Sequence, residues 1–393
     1  MKNSVGENFN MIAKTQLGLE EILADELLKL GAQDVQVLNR AVSFVGDVGF
    51  MYKANLNLRT AIRILKPIYK FTARRDVDLY EEAKKLDWSK YISVDNTIAV
   101  NAAVHSDFFN HSHYVALKVK DAIVDYFRDL TKGRRPDVDT KNPDVRINIH
   151  VSNDKCTISL DSSGDSLHKR GYRHATNEAP ISEVLAAGLI LLSDWDRQSD
   201  FLDPMCGSGT ILIEAAMIAC NIPPSLYRKK FGFMNWLDFD ADLWAKIKEV
   251  SMNKVSDFKG RIIGCDRAFA SVRKAQDNVK DAMLDDIIEI KRANFIRKPE
   301  PMPNGGTILF NPPYGERLTA DTLELYSQIG DTFKKNYVGC SAWLITSDME
   351  AVNHIHLKHT RRIKIFNGKL ECRFLKYQMY EGSKKISKKK ATD

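Results

Sequence analysis

The chain has 393 residues, with 44% apolar and 28% charged residues, six cysteines and a formal net charge of +7. This is the balance of a globular chain with room for two or three domains, and it excludes a fibrous or compositionally disordered protein. No apolar run reaches the roughly 20 residues that cross a bilayer, Met1-Lys2-Asn3-Ser4 leads into no signal-peptide core, and Cys156, Cys206, Cys220, Cys265, Cys340 and Cys372 show no paired spacing. A cytoplasmic protein with reduced thiols, no metal and no membrane attachment is therefore expected.

Along the chain, Phe9-Asn10-Met11-Ile12-Ala13 predicts a strand, and Leu17 to Leu30 an amphipathic helix stopped by Gly31. A strand at Ala41 to Val45 and a helix up to about Leu56 complete a small α+β unit. Further on, strands at Thr97 to Val104 and Val145 to Val151 flank a helix at Tyr114 to Phe127. No catalytic constellation stands out in this first part. Basic clusters at Lys132-Gly133-Arg134-Arg135, at His168-Lys169-Arg170 with Arg173, at Arg361-Arg362 and in the lysine-rich tail suit contact with a polyanion, although solvated surface is the ordinary reading of any one of them.

The next segment is richer. Asp203-Pro204-Met205-Cys206-Gly207-Ser208-Gly209-Thr210 precedes the apolar stretch Ile211 to Met217, a strand end and Gly-rich turn opening a helix. Gly207 and Gly209 let the backbone approach a ligand, and the helix N-terminus presents unpaired N–H groups to a carboxylate. A dinucleotide fingerprint wants a third glycine where Leu212 stands, and a P-loop wants a lysine that does not follow Gly209. Asp203 repels a polyphosphate and welcomes an ammonium. S-adenosyl-L-methionine has an ammonium, a carboxylate and no phosphate.

Arg261 to Asp266 then reads as a strand ending in a carboxylate, the usual place for a group that holds two ribose hydroxyls. After a helix at about Ala268 to Val279 and a strand near Ile287, Asn294-Phe295 offers an amide oxygen and an aromatic to an adenine, or else an ordinary turn. The strand Thr307 to Phe310 runs directly into Asn311-Pro312-Pro313-Tyr314. Proline lacks an N–H and fixes φ, so rigid carbonyls and the Asn311 oxygen together can accept both hydrogens of an exocyclic amine, with Tyr314 against the ring. No cysteine lies between Asn311 and Leu318, so direct transfer to nitrogen is expected rather than covalent addition to a ring carbon. A strand at Ala342 to Thr346 and two more around Asn367-Gly368 predict an antiparallel hairpin closing a parallel sheet.

The pairing of Asp-Pro-Met-Cys-Gly-Ser-Gly-Thr with Asn-Pro-Pro-Tyr-Gly-Glu-Arg-Leu resembles the THUMP-containing RNA guanine-N2 methyltransferases, most nearly the N-terminal half of the bifunctional bacterial 23S ribosomal RNA enzymes. The likeness extends to Ser163 through Arg173 and to Ala179-Pro180-Ile181-Ser182-Glu183. It implies an α/β architecture: a Rossmann-like class I methyltransferase domain at 164–382, preceded by a ferredoxin-like domain at 1–58 and a THUMP RNA-binding domain at 59–163, and followed by a basic tail at 383–393. It also implies that Asp203, Met205, Cys206, Gly207, Ser208, Gly209, Thr210, Asp266, Asn294 and Asn311 line S-adenosyl-L-methionine, while Asn311, Pro312, Pro313 and Tyr314 hold the base. Asn294 stands where many such enzymes carry Asp.

The expected substrate is structured RNA, 23S ribosomal RNA ahead of transfer RNA, acted on by a monomer. Adenine N6 in DNA, a protein glutamine, or a noncatalytic role in ribosome assembly are the alternatives. The aromatic segment with Tyr227, Phe231, Phe233, Trp236 and Trp244 reads either as core or as a lid that stacks on RNA.

Overall fold

The structure is a computed structural model that describes residues 6–173, 181–313 and 320–380. The chain divides into two compact units. The first comprises Met1–Thr15, Leu23–Lys169 and Arg228–Asn253, and the second Gln16–Ile22, Arg170–Tyr227 and Lys254–Asp393.

The first unit is built on one eight-stranded sheet. Its elements are β1 (Phe9–Lys14), α1 (Glu20–Leu30), β2 (Gln33–Leu38), β3 (Ala41–Gly46), α2 (Val48–Asn57), β4 (Arg63–Thr72), α3 (Asp76–Lys85), β5 (Thr97–His105), α4 (Ser112–Leu130), β6 (Asp137–Val138), β7 (Val145–Ser152) and β8 (Lys155–Asp161). The strand order is β2-β3-β1-β4-β8-β7-β5-β6. The ferredoxin-like and THUMP segments thus share a continuous sheet, joined where β4 pairs antiparallel with β1 on one side and β8 on the other. Pro67 lies in the middle of β4, and the β4–β8 register shifts between Pro67 and Tyr69, as a residue without an N–H requires. Helix α1 starts at Glu20 rather than Leu17, because Gly18 has φ +93° and breaks the turn before it.

The second unit carries α5 (Glu183–Leu192), β9 (Phe201–Asp203) and α6 (Thr210–Ala219). The chain then leaves for the first unit, where it forms α7 (Ala241–Met252), and returns for β10 (Ile262–Asp266), α8 (Phe269–Asp281), β11 (Ile288–Arg292), β12 (Thr307–Phe310), α9 (Ala320–Asn336), β13 (Ser341–Thr346), α10 (Met349–Asn353), β14 (Arg361–Asn367) and β15 (Leu370–Gln378). Its seven strands run in the order β11-β10-β9-β12-β13-β15-β14. The first five are parallel, and β15 and β14 close the sheet as an antiparallel hairpin. Asn367 pairs with Leu370, so the two turn residues are Gly368 and Lys369, one place later than Asn-Gly suggests.

The aromatic insert is core, and it is the core of the first unit. Phe231, Phe233, Trp236 and Trp244 are all at least nine-tenths buried among the same residues as Met11, Phe44 and Leu160. Tyr52 of α2 stacks on Phe233 at 4.3 Å, and its hydroxyl oxygen accepts the Asp240 N–H of the insert at 3.1 Å. Arg228 pins the start of the insert. Its guanidinium donates to the carbonyls of Ser163, Asp165, Ser166 and Lys169 and lies over the Phe231 ring.

Candidate active site

Parallel pairing lines up the strand ends. Gly264 of β10 and Leu202 of β9 fix the register, with Gly264 opposite Asp203 and Leu202 opposite Ile308 of β12. Asp266 pairs with Arg292, the last residue of β11. Asp203 with its glycine turn, Asp266, Asn294 and Asn311 therefore all fall at the carboxyl edge of four adjacent strands. The chain order reverses between β9 and β12, and a crevice at such a switch point is where open α/β sheets bind ligands.

The turn after β9 is held by bonds on every side. Cys206 N–H donates to the Cys265 carbonyl at 2.9 Å, Gly207 N–H to Asp266 Oδ2 at 3.1 Å, and Gly209 N–H to the Cys206 carbonyl at 2.8 Å. Gly209 is the N-cap of α6 with φ +82°, and a Cβ there would lie 3.3 Å from the Ala275 Cβ, so both backbone and space call for glycine. Gly264 is needed for a different reason. A Cβ on it would come within 2.3 Å of Leu212 Cδ1, so the leucine that replaces a dinucleotide-type third glycine packs where Gly264 has no side chain.

Asp203 is 1% exposed, and its Oδ1 accepts the Met205 N–H at 3.1 Å. Burial, then the charge of Asp266, pushes its carboxyl well above the usual range, against the bond from Met205. The site thus contains a buried carboxylate whose ionised form a cation would stabilise. Cys206 and Cys265 are buried with thiols pushed up by desolvation, Cys265 to about 12, so they stay protonated and pack rather than attack.

Asn311 Oδ1 is buried without a hydrogen-bond partner among the described residues. Such an acceptor is costly unless something donates to it. Pro312 beside it is buried and Pro313 exposed, while Tyr314 lies outside the described residues. At the β11 exit, Asn294 Oδ1 accepts from the N–H groups of Ile296 and Arg297, at 3.0 and 3.3 Å, and so shapes a turn. Phe295 is buried in a cluster with Phe310, Phe333 and Tyr337.

Several residues that hold the site escaped the sequence reading. Arg170 is not a surface cation able to meet phosphate. It is fully buried, with its guanidinium on Glu214 of α6, and Tyr172 donates its hydroxyl to the same carboxylate at 3.0 Å. Arg173 is also mostly buried, bonding Glu183 at 2.9 Å and Ser208 Oγ at 3.3 Å. Asn278 of α8 donates to the Ser208 carbonyl at 3.0 Å. The signal was present in the segment Ser163 to Arg173, whose likeness carried no assigned role.

A parallel sheet in this strand order, closed by an antiparallel hairpin and bearing a glycine turn and carboxylates at its switch point, defines a class I S-adenosylmethionine-dependent methyltransferase. Residues 170–376 match the RMKL-like methyltransferase domain, residues 73–161 the THUMP domain and residues 10–65 the RlmL ferredoxin-like domain. The chain belongs to the RMKL-like methyltransferase family. It is 37% identical over 366 residues to a Synechocystis protein provisionally named an RNA methyltransferase, covering 92% of this chain and 95% of that one. It is 40% identical over 382 residues to the ribosomal RNA large subunit methyltransferase K/L of Shewanella amazonensis, covering 95% of this chain and 54% of that one. The chain thus spans about half the length of the K/L relatives it matches. Among solved structures, SMU.472 in complex with SAH superposes with a TM-score of 0.84 at 30% identity, over 96% of this chain and 100% of that one.

Proposed function

We propose that this protein methylates the exocyclic N2 amine of a guanine in RNA, large-subunit ribosomal RNA before transfer RNA. The observation that carries the reading is the buried, unpartnered Asn311 oxygen at the end of β12. Bound S-adenosyl-L-methionine supplies a methyl group on a positively charged sulfur. The residues contribute position. Asn311 Oδ1 and the Pro312 carbonyl accept the two amine hydrogens, so that the nitrogen faces the methyl group, and the proton leaves after attack. Tyr314 is assigned to the ring face. Asp203 takes the ammonium, the turn from Met205 to Thr210 the methionine end, and Asp266 the ribose hydroxyls. Asn294, whose Oδ1 already accepts from the Ile296 and Arg297 N–H groups, is assigned to shaping the turn beside the adenine. The THUMP match and the two RNA methyltransferase relatives support RNA as the acceptor. Transfer of labelled methyl to unmethylated 23S ribosomal RNA, transfer RNA, DNA and release-factor protein in parallel tests it. Nucleoside mass spectrometry should find N2-methylguanosine in the first; label appearing only in DNA or protein would overturn the reading.

Asp203 makes the donor's binding pH-dependent. A carboxyl whose folded pKa is raised contributes stability below its unfolded pKa, and loses it as pH rises through the folded value. A bound ammonium favours the ionised form, so affinity rises over that same window. Calorimetry with S-adenosylhomocysteine, carried upward from the ordinary aspartate pKa of about 4, should show tightening with pH in the native protein. Asp203→Asn should bind weakly with a flat profile; an unchanged slope in that variant would remove Asp203 from the role.

Lys132, Arg134 and Arg135 remain candidates for phosphate contact, since all three are exposed. RNA affinity should fall on a log–log plot against salt by about 0.7 per contact, and replacing all three with alanine should flatten the slope by roughly two. An unaltered slope would place the contacts elsewhere.

A further inference from the structure

A cavity of about 300 Å³ opens within the first unit, with walls from Phe9 of β1, Tyr91 and Trp236 of the insert. That volume is at the lower end of the range for small-ligand sites. Two features mark it as more than a packing fault. The indole N–H of Trp236, a residue 6% exposed, has no acceptor among the described residues. Lys66, 9% exposed, carries its ammonium 4.3 Å from the Phe9 ring centre and 3.9 Å from Asp238 Oδ2, too far for a hydrogen bond. Desolvation lowers the pKa of this lysine, while Asp238 and Glu7 oppose the shift.

The charges around the cavity balance. Lys66, Lys90, Glu7 and Asp238 all line it, so a phosphate would meet as many carboxylates as ammonium groups. What suits the lining is a flat neutral molecule that accepts hydrogen bonds at one point and donates at the next. A guanine edge has this order: O6 accepts, and N1–H and N2–H₂ donate. In a duplex that edge is paired, so only an unpaired base can present it.

We infer that this cavity binds the Watson–Crick edge of an unpaired guanine in the RNA substrate, with Trp236 Nε1 and Lys66 Nζ donating to O6 and Asp238 accepting from N1–H and N2–H₂. The inference rests on the RNA reading above and assigns a recognition site built wholly from residues of the first unit. It also explains why an indole, rather than a phenyl ring, stands at position 236 of a core segment.

The test uses the full-length protein with 15N-labelled tryptophan, the Trp236 indole resonance being identified by its absence in Trp236→Phe. GMP at millimolar concentration should shift that resonance saturably, AMP less because adenine carries an amine where guanine has the O6 acceptor, and inorganic phosphate not at all. No shift with GMP, or an equal shift with phosphate, overturns the inference. A second arm measures affinity for a 23S ribosomal RNA transcript in Lys66→Met and in Leu237→Arg, the latter at a rim residue that is 53% exposed and lines the cavity. Each should weaken RNA binding by roughly fivefold or more, with S-adenosylhomocysteine affinity unchanged. Native-like RNA affinity in both variants refutes the cavity's role alone. Failure of the native protein to bind RNA refutes the RNA reading on which it rests.

Discussion

Asn311→Ala is expected to lower the single-turnover rate of methyl transfer by about 10² or more, the loss that a misplacement of about 1 Å produces. The side chain at stake is unusual because its oxygen is buried and satisfied by nothing in the described protein. Removing it costs Oδ1 no hydrogen bond among the described residues and relieves an unmet acceptor, so stability should stay level or rise. Activity and stability moving apart would distinguish a substrate-facing group from a structural one. Rapid-quench transfer measured with S-adenosylhomocysteine affinity separates a lost acceptor from a lost donor, while Asn311→Asp, which keeps an acceptor oxygen, should retain more activity than alanine. A native rate in Asn311→Ala would end the assignment.

Legibility in the sequence followed the range of the interactions involved. The strand ending at Asp203, the glycine turn, the strand ending at Asp266 and the terminal hairpin are each specified by neighbouring residues, and each appears within a residue or two of expectation. The destination of the aromatic insert was not legible in this way. Phe231, Phe233 and Trp244 announce burial, but burial in which core depends on Tyr52, nearly two hundred residues away. The continuous sheet was hidden for the same reason, because β4 must find both β1 and β8, and Lys66 and Pro67 interrupt its apolar pattern. Arg170 failed differently. It sits in a run of basic residues that composition assigns to the surface, and only Glu214 of α6 makes its burial affordable.

That ion pair carries the second large prediction. Arg170 and Glu214 are both fully buried, and Tyr172, 1% exposed, has its hydroxyl on the same carboxylate. Breaking a buried pair from one side strands a charge out of water, so Glu214→Ala should cost about 3–5 kcal/mol of stability. For a unit of this size that corresponds to a fall in Tm of roughly 6–20 °C. Replacing the whole group with apolar residues, as in Arg170→Met with Glu214→Leu and Tyr172→Phe, should restore much of that stability, since both charges of the pair and the hydroxyl on it are removed together. The functional consequence runs through α6, which begins at the glycine turn and bears Glu214 one turn later. Arg173 and Asn278 grip Ser208 from outside, but the helix beneath the turn is anchored by Arg170. The single variant should therefore also weaken S-adenosylhomocysteine binding, and the triple variant should recover it along with stability. Urea denaturation and calorimetry on the same preparations read both quantities. A Glu214→Ala protein within about 1 kcal/mol of the native one would show that α6 is held by its apolar packing against α5 and the strands, and that the ion pair is incidental to the donor site.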